Sequence, residues 1–177
     1  MDKSTAQAVG PTFGFLTVVD SPSHGVFGGY LLVDLSGRPV EFHCTAPVRI
    51  SRAQQILYGA TLPGHLHGGQ IGPALLAEAG VEPRAVLTDV ESMLHVRSHT
   101  RLPVALVRRL AGAEPAGGAD RGFAVGNASV IPPPGPASGD DADGTVLRER
   151  LAELGAAVDL QEPFERIRAA IEEAQRH

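Results

Sequence analysis

The chain has a single cysteine, Cys44, in 177 residues. That excludes an internal disulfide and points to a reducing compartment. It also lacks a long apolar run. The longest uncharged stretch near the start, residues 4–19, is interrupted by Gly10, Pro11 and Gly14 behind a single lysine, which makes it a poor signal peptide and too broken for a membrane helix. A soluble cytoplasmic protein with no membrane partner is expected. No Lys/Arg cluster exceeds Arg108-Arg109, whereas a protein that grips a phosphate backbone presents a cationic face that displaces counterions. Arginines far apart in sequence can converge in space, so nucleic acid is disfavoured as a partner without being excluded. There is no Gly-x-Ser-x-Gly elbow, no phosphate loop and no dinucleotide fingerprint. Gly25-Val26-Phe27-Gly28-Gly29 opens a strand rather than a helix, so its amides have no helix terminus to aim at a phosphate; Gly28-Gly29 instead marks a bulge or a close backbone contact.

What is present suffices for one compact core: 43% hydrophobic and 20% charged residues in a length near the common domain size. Many of the 14 prolines and 21 glycines fall in two places, 111–122 and 132–144, where they punctuate the chain. The formal charge of −5 is unevenly placed: residues 1–131 hold ten Lys/Arg and ten Asp/Glu, and residues 132–177 hold five and ten. The body is neutral and the C-terminal segment acidic.

Three strand-like runs come first, at 12–20, 26–35 and 40–47. Ser36-Gly37-Arg38-Pro39 between the last two is a turn signal, and a hairpin follows from it. Tyr30-Leu31-Leu32-Val33 is continuously apolar, as in a strand covered on both faces. Ser51 and Gln54 form a capping box for a short helix through Leu57, and Ile71, Leu75 and Leu76 give a helical face that Gly80 ends. Further strands are predicted at 85–89, 104–109 and 123–131, the last weakened by Gly126, and a short helix at 91–98. The fold class is therefore α/β, a mixed sheet of three N-terminal antiparallel strands followed by alternating helices and strands.

Residues 132–144 read as a Pro/Gly/Asp-rich linker after a 1–131 domain. In the tail, 145–177, Leu147, Leu151, Leu154 and Val158 form one narrow apolar stripe, and Leu160, Phe164, Ile167, Ile171 and Ala174 another. Such stripes either fold back to cover the sheet or reach a protein partner or second copy.

Asp20 and Asp89 stand where apolar runs end. Two carboxylates delivered by adjacent strand ends can share a divalent cation and polarise a phosphoryl oxygen. Alternatively Asp20 is a turn residue before Ser21-Pro22-Ser23, and Asp89 an N-cap. Three antiparallel strands, a helix, then alternating elements, with aspartates on the first and fourth strands, is the order of the ribonuclease H-like fold. Within that group Pro63-Gly64, Gly72-Pro73-Ala74-Leu75-Leu76, Leu87-Thr88-Asp89 and His95-Val96-Arg97 resemble endonuclease V, over about residues 13–109. The resemblance implies a Mg²⁺- or Mn²⁺-dependent nuclease in which Asp20, Asp89 and Gln70 hold the metal, His95 assists proton transfer or binds phosphate and Arg97 steadies charge. The chain departs from that pattern: Gly68-Gly69-Gln70-Ile71 holds no carboxylate where the family has its metal-binding glutamate, the segment after His95 is shorter, and Val96 replaces a proline. Asp34 and Glu91 are spare acids nearby.

A zinc set could draw on His95 and His99, on His65 and His67, and on His43 with Cys44, but no Cys-x-x-Cys or His-Glu-x-x-His is present. Cys44 within an apolar strand is read as a core residue, or else as a nucleophile with a histidine base. The preferred reading is a non-catalytic intracellular binding or accessory protein that needs no cofactor and contacts a protein partner, or itself, through 145–177. A nuclease is the alternative.

Overall fold

The computed structural model describes residues 10–110, 122–134 and 142–177. Strands β1 (Thr12–Ser21), β2 (Gly25–Asp34) and β3 (Pro39–Cys44) form an antiparallel meander. The β2–β3 turn is held by Asp34, whose Oδ1 accepts from the Ser36 amide (2.9 Å), the Ser36 hydroxyl (2.7 Å) and the Arg38 amide (3.0 Å), while Gly37 takes the positive φ of 83° that the turn requires. The Ser36 hydroxyl, above all, holds the Asp34 carboxyl below its usual range.

Helix α1 (Arg52–Tyr58) starts at the expected capping box, with Ser51 and Gln54 each accepting from the other's backbone. A 3₁₀ turn leads into α2 (Leu62–Leu66), a π turn (His67–Ile71) and α3 (Gly72–Glu78). Strand β4 (Val86–Thr88), a 3₁₀ segment (Glu91–His99) and β5 (Val104–Arg109) follow. The single strand expected at 123–131 is two, β6 (Phe123–Val125) and β7 (Ala128–Ile131), paired antiparallel. The physical reason is Gly126, whose φ of 58° reverses the chain. Helices α4 (Ala142–Ala157) and α5 (Glu162–Gln175) complete the chain. Helix α4 takes in the end of the expected linker, of which 135–141 lie outside the described residues, as do 111–121 of the other Pro/Gly-rich stretch.

The seven strands form one mixed sheet in the order β3-β2-β1-β4-β5-β7-β6, with β4 parallel to both β1 and β5. Both faces are covered, because alternate residues of each central strand meet different helices. On one face Phe13, Phe15, Leu31, Leu87 and Val107 pack with the α4 and α5 stripes, from Leu147 through Ile171; Phe15 and Phe164 meet edge to face at 5.3 Å. On the other Leu16, Tyr30, Leu32, Val86 and Leu106 pack with Leu66, Ile71, Leu75, Met93 and Val96. Gly28-Gly29 serves close contact on both sides at once. A Cβ on Gly28 would stand 2.2 Å from Ile71 Cγ2, and one on Gly29 would stand 2.3 Å from Ile167 Cγ2.

Candidate functional site

In parallel sheets the crevice beyond the carboxyl ends of the strands is where ligands bind; β4 ends there at Thr88, alongside β1, which runs on to Ser21. Gly14, Phe15 and Leu16 pair with Val86, Leu87 and Thr88, so the next step of the register sets Thr17 beside Asp89. Thr17 is fully buried, and its Oγ1 donates to Asp89 Oδ1 at 2.6 Å. The other carboxylate oxygen accepts from Arg168 of α5. Asp89 thus ties β4 to β1 and to the helix layer.

Asp20 is elsewhere. It lies three residues beyond Thr17 in β1, opposite Val26 of β2, roughly 10 Å further along the strand at about 3.3 Å per residue. Its pleat parity is that of Leu16, on the opposite face from Thr17. Asp20 is exposed and lines a cleft of about 380 Å³ with His24, Arg49 and Gln55. The structure does not bring Asp20 and Asp89 together. A cation shared by two carboxylates needs both within about 2.0–2.6 Å of one point, and the position beside Asp89 is held by a hydroxyl. The residues here do not fit a divalent metal.

Gln70 is exposed on the π turn and His95 exposed on the 3₁₀ segment. Arg97 is engaged: its Nε donates to Asp143 of α4 at 3.0 Å and its Nη1 to the Thr100 carbonyl at 2.8 Å. Of the spare acids, Asp34 is held in its turn and Glu91 pairs with Arg108 at 3.2 Å. For zinc, His95 and His99 lie on a 3₁₀ segment rather than an α-helix. At three residues per turn, side chains four apart do not share a face. His65 stacks on Tyr58, ring centroids 4.3 Å apart, and His43 Nε2 lies 2.8 Å from Glu41. Among the described residues no three His, Cys, Asp or Glu side chains form a ligand cluster. Cys44 is exposed rather than in the core, because β3 is an edge strand whose side chains are only partly covered.

Sequence reasoning missed a convergence on the α2–α3 side. Gly64, Gly68 and Gly72 recur every four residues and face the 3₁₀ segment; a Cβ on Gly68 would stand 2.5 Å from His95 Cβ and 2.9 Å from the Ser92 carbonyl oxygen and the Val96 amide nitrogen. This close approach sets His67 Nδ1 2.6 Å from Ser92 Oγ. Burial holds His67 below its usual pKa, with Asp20 acting weakly the other way. His24 Nδ1, on the β1–β2 turn, lies 3.3 Å from Ser21 Oγ and 3.1 Å from Ser23 Oγ. The four-residue glycine spacing was the one available signal for this packing. Thr17 and Arg168 gave none, since they matter only through pairing register and helix docking.

A second unpredicted feature is α1, which buries none of its residues. Ile56 is 66% and Leu57 83% exposed. From 42 through 77 the chain has no Asp or Glu but carries Arg49 and Arg52, so this apolar ridge sits in a cationic stretch. No helix among the described residues is long and apolar enough to cross a membrane. Compared with known protein families and with curated proteins, the chain matches none.

Proposed function

We propose that this protein is a non-catalytic binding or accessory component built on a ribonuclease H-like scaffold. Supporting the scaffold is the order β3-β2-β1-β4-β5, three antiparallel strands followed by two parallel to β1. The observation that carries the non-catalytic reading is Thr17 beside Asp89, with the carboxylate closed by Thr17 and Arg168. In such a site the catalytic charge would be a second carboxylate.

The apolar stripes of 145–177 pack on the sheet, which supports placing the contact elsewhere. The contact is made by α1. Its occupant is an acidic protein segment bearing apolar side chains, complementary to Ile56 and Leu57 and to the carboxylate-free stretch around Arg49 and Arg52. Covering an exposed leucine or isoleucine gains about 1.5–3 kcal/mol each.

The test compares wild type with Leu57→Asp. A protein captured from the native host should bind purified wild type in a titration and lose at least about ten-fold in affinity to Leu57→Asp. Equal binding by both would move the contact off α1, and sedimentation of the pure protein as a dimer that Leu57→Asp dissociates would make the occupant a second copy. Cleavage of labelled DNA or RNA in Mg²⁺ or Mn²⁺, lost in Asp89→Asn, would overturn the non-catalytic reading in favour of the nuclease.

A further inference from the structure

At the opposite end of the parallel strands from Asp89 lies a pocket of about 450 Å³, between the end of α3 and the segments that lead into β4 and β5. Its lining is mixed, with apolar Leu76, Ala79, Pro83 and Leu102 beside polar Thr100, and with Arg101 and Glu82 exposed at its edge. Tyr30 forms part of it. That tyrosine is fully buried, and its hydroxyl has no hydrogen-bond partner among the described residues.

The ring direction follows from the sheet. The Tyr30 backbone pairs with Leu16, while its hydroxyl reaches over Gly14, where a Cβ would stand 2.4 Å from it. Gly14 lies two residues nearer the start of β1 and bonds to the Ala85 carbonyl. The part of Tyr30 nearest Glu82, Pro83 and Leu102 is therefore its hydroxyl end. Only glycine at position 14 admits the ring in this pose. A buried hydroxyl without a partner is costly, by about 1–3 kcal/mol, and native proteins rarely leave one so.

We infer that this pocket is a binding site for a small organic anion with an apolar body, whose far end offers a neutral oxygen to the Tyr30 hydroxyl and whose carboxylate meets Arg101. Among the described residues Arg101 has no acidic partner. Burial, and then the Glu41 carboxylate, push the Tyr30 pKa up. The phenol therefore stays protonated and donates, and a neutral acceptor suits that end better than an anion. The site is separate from the α1 surface and stands or falls independently of it.

The probes are 4-hydroxybenzoate and benzoate, titrated into the full chain and followed by protein-observed NMR. In wild type 4-hydroxybenzoate should bind about five-fold tighter than benzoate, the worth of one buried hydrogen bond. In Tyr30→Phe that advantage should vanish. Arg101→Gln should weaken both probes, and Glu82→Gln should strengthen both by relieving repulsion at the rim. No saturable shift of pocket residues, or equal discrimination in Tyr30→Phe, would overturn the assignment. Thermal unfolding without ligand gives a second arm. Tyr30→Phe should unfold at the wild-type temperature or above it, because it deletes an unpartnered hydroxyl; a lower midpoint would mean that the hydroxyl is already satisfied in the free protein, and the inference would fail.

Discussion

Asp89→Asn separates a structural carboxylate from a functional one by the sign of a single number. Asparagine keeps an oxygen for the Thr17 hydroxyl but turns a charged acceptor into a neutral one. Hydrogen bonds to charged groups contribute about 1.5–3 kcal/mol and neutral ones about 0.5–1.5, so the exchange loses about 1–1.5 kcal/mol at a side chain only 13% exposed. The Arg168 pair adds little, about 0–1 kcal/mol, because Arg168 is 44% exposed and solvent screens it. Together the variant should be destabilised by about 1–2.5 kcal/mol. Urea denaturation reads this as a lower midpoint at unchanged slope, and calorimetry as a fall of about 2–4 °C per kcal/mol for a chain of this size. Arg168→Gln should cost under about 1 kcal/mol, and the double variant should show a favourable coupling near 0.5 kcal/mol. A carboxylate kept for chemistry sits in an unfavourable setting, and its neutralisation usually raises stability. Asp89→Asn at or above wild-type stability would refute the structural assignment.

Two further outcomes follow from the packing around the π turn. Gly68→Ala should destabilise by about 1–3 kcal/mol, because backbone atoms of the facing segment cannot withdraw as a flexible side chain could; denaturant titration with an unchanged midpoint would show that the segments separate freely. His67 has a folded pKa below its ordinary 6.5, so the unfolded chain binds the extra proton first. Its contribution is whole above about pH 6.5 and is lost as pH falls from there through the folded value. His67→Gln should therefore flatten the stability profile in that acidic window while leaving the slope above pH 7 unchanged.

The α/β class and most elements were legible because each rests on a local signal: the apolar runs of β1 and β2, the Ser51–Gln54 capping box, the turn after Asp34. The C-terminal stripes were legible as stripes, and Leu147 through Ile171 form a true apolar face, but what they face is a matter of tertiary docking. Gly126 was seen as a weakness in a strand when its positive φ makes it a turn. Cys44 was read as core because its neighbours are apolar, and only its place at the sheet edge exposes it. The candidate site was the least legible part. Asp20 and Asp89 attract attention as acids ending apolar runs, yet the residue beside Asp89 is decided by register between strands 72 positions apart, which no local pattern encodes.

The paired glycines of β2 have a mechanical meaning. With no side chain on either surface at two successive positions, a single peptide plane is all that separates the π turn and α3 from α5: Ile71 and Leu75 press on it from one side and Ile167 from the other. A side chain at either position would push one outer layer off the sheet, so the spacing of both layers is set at this one dipeptide.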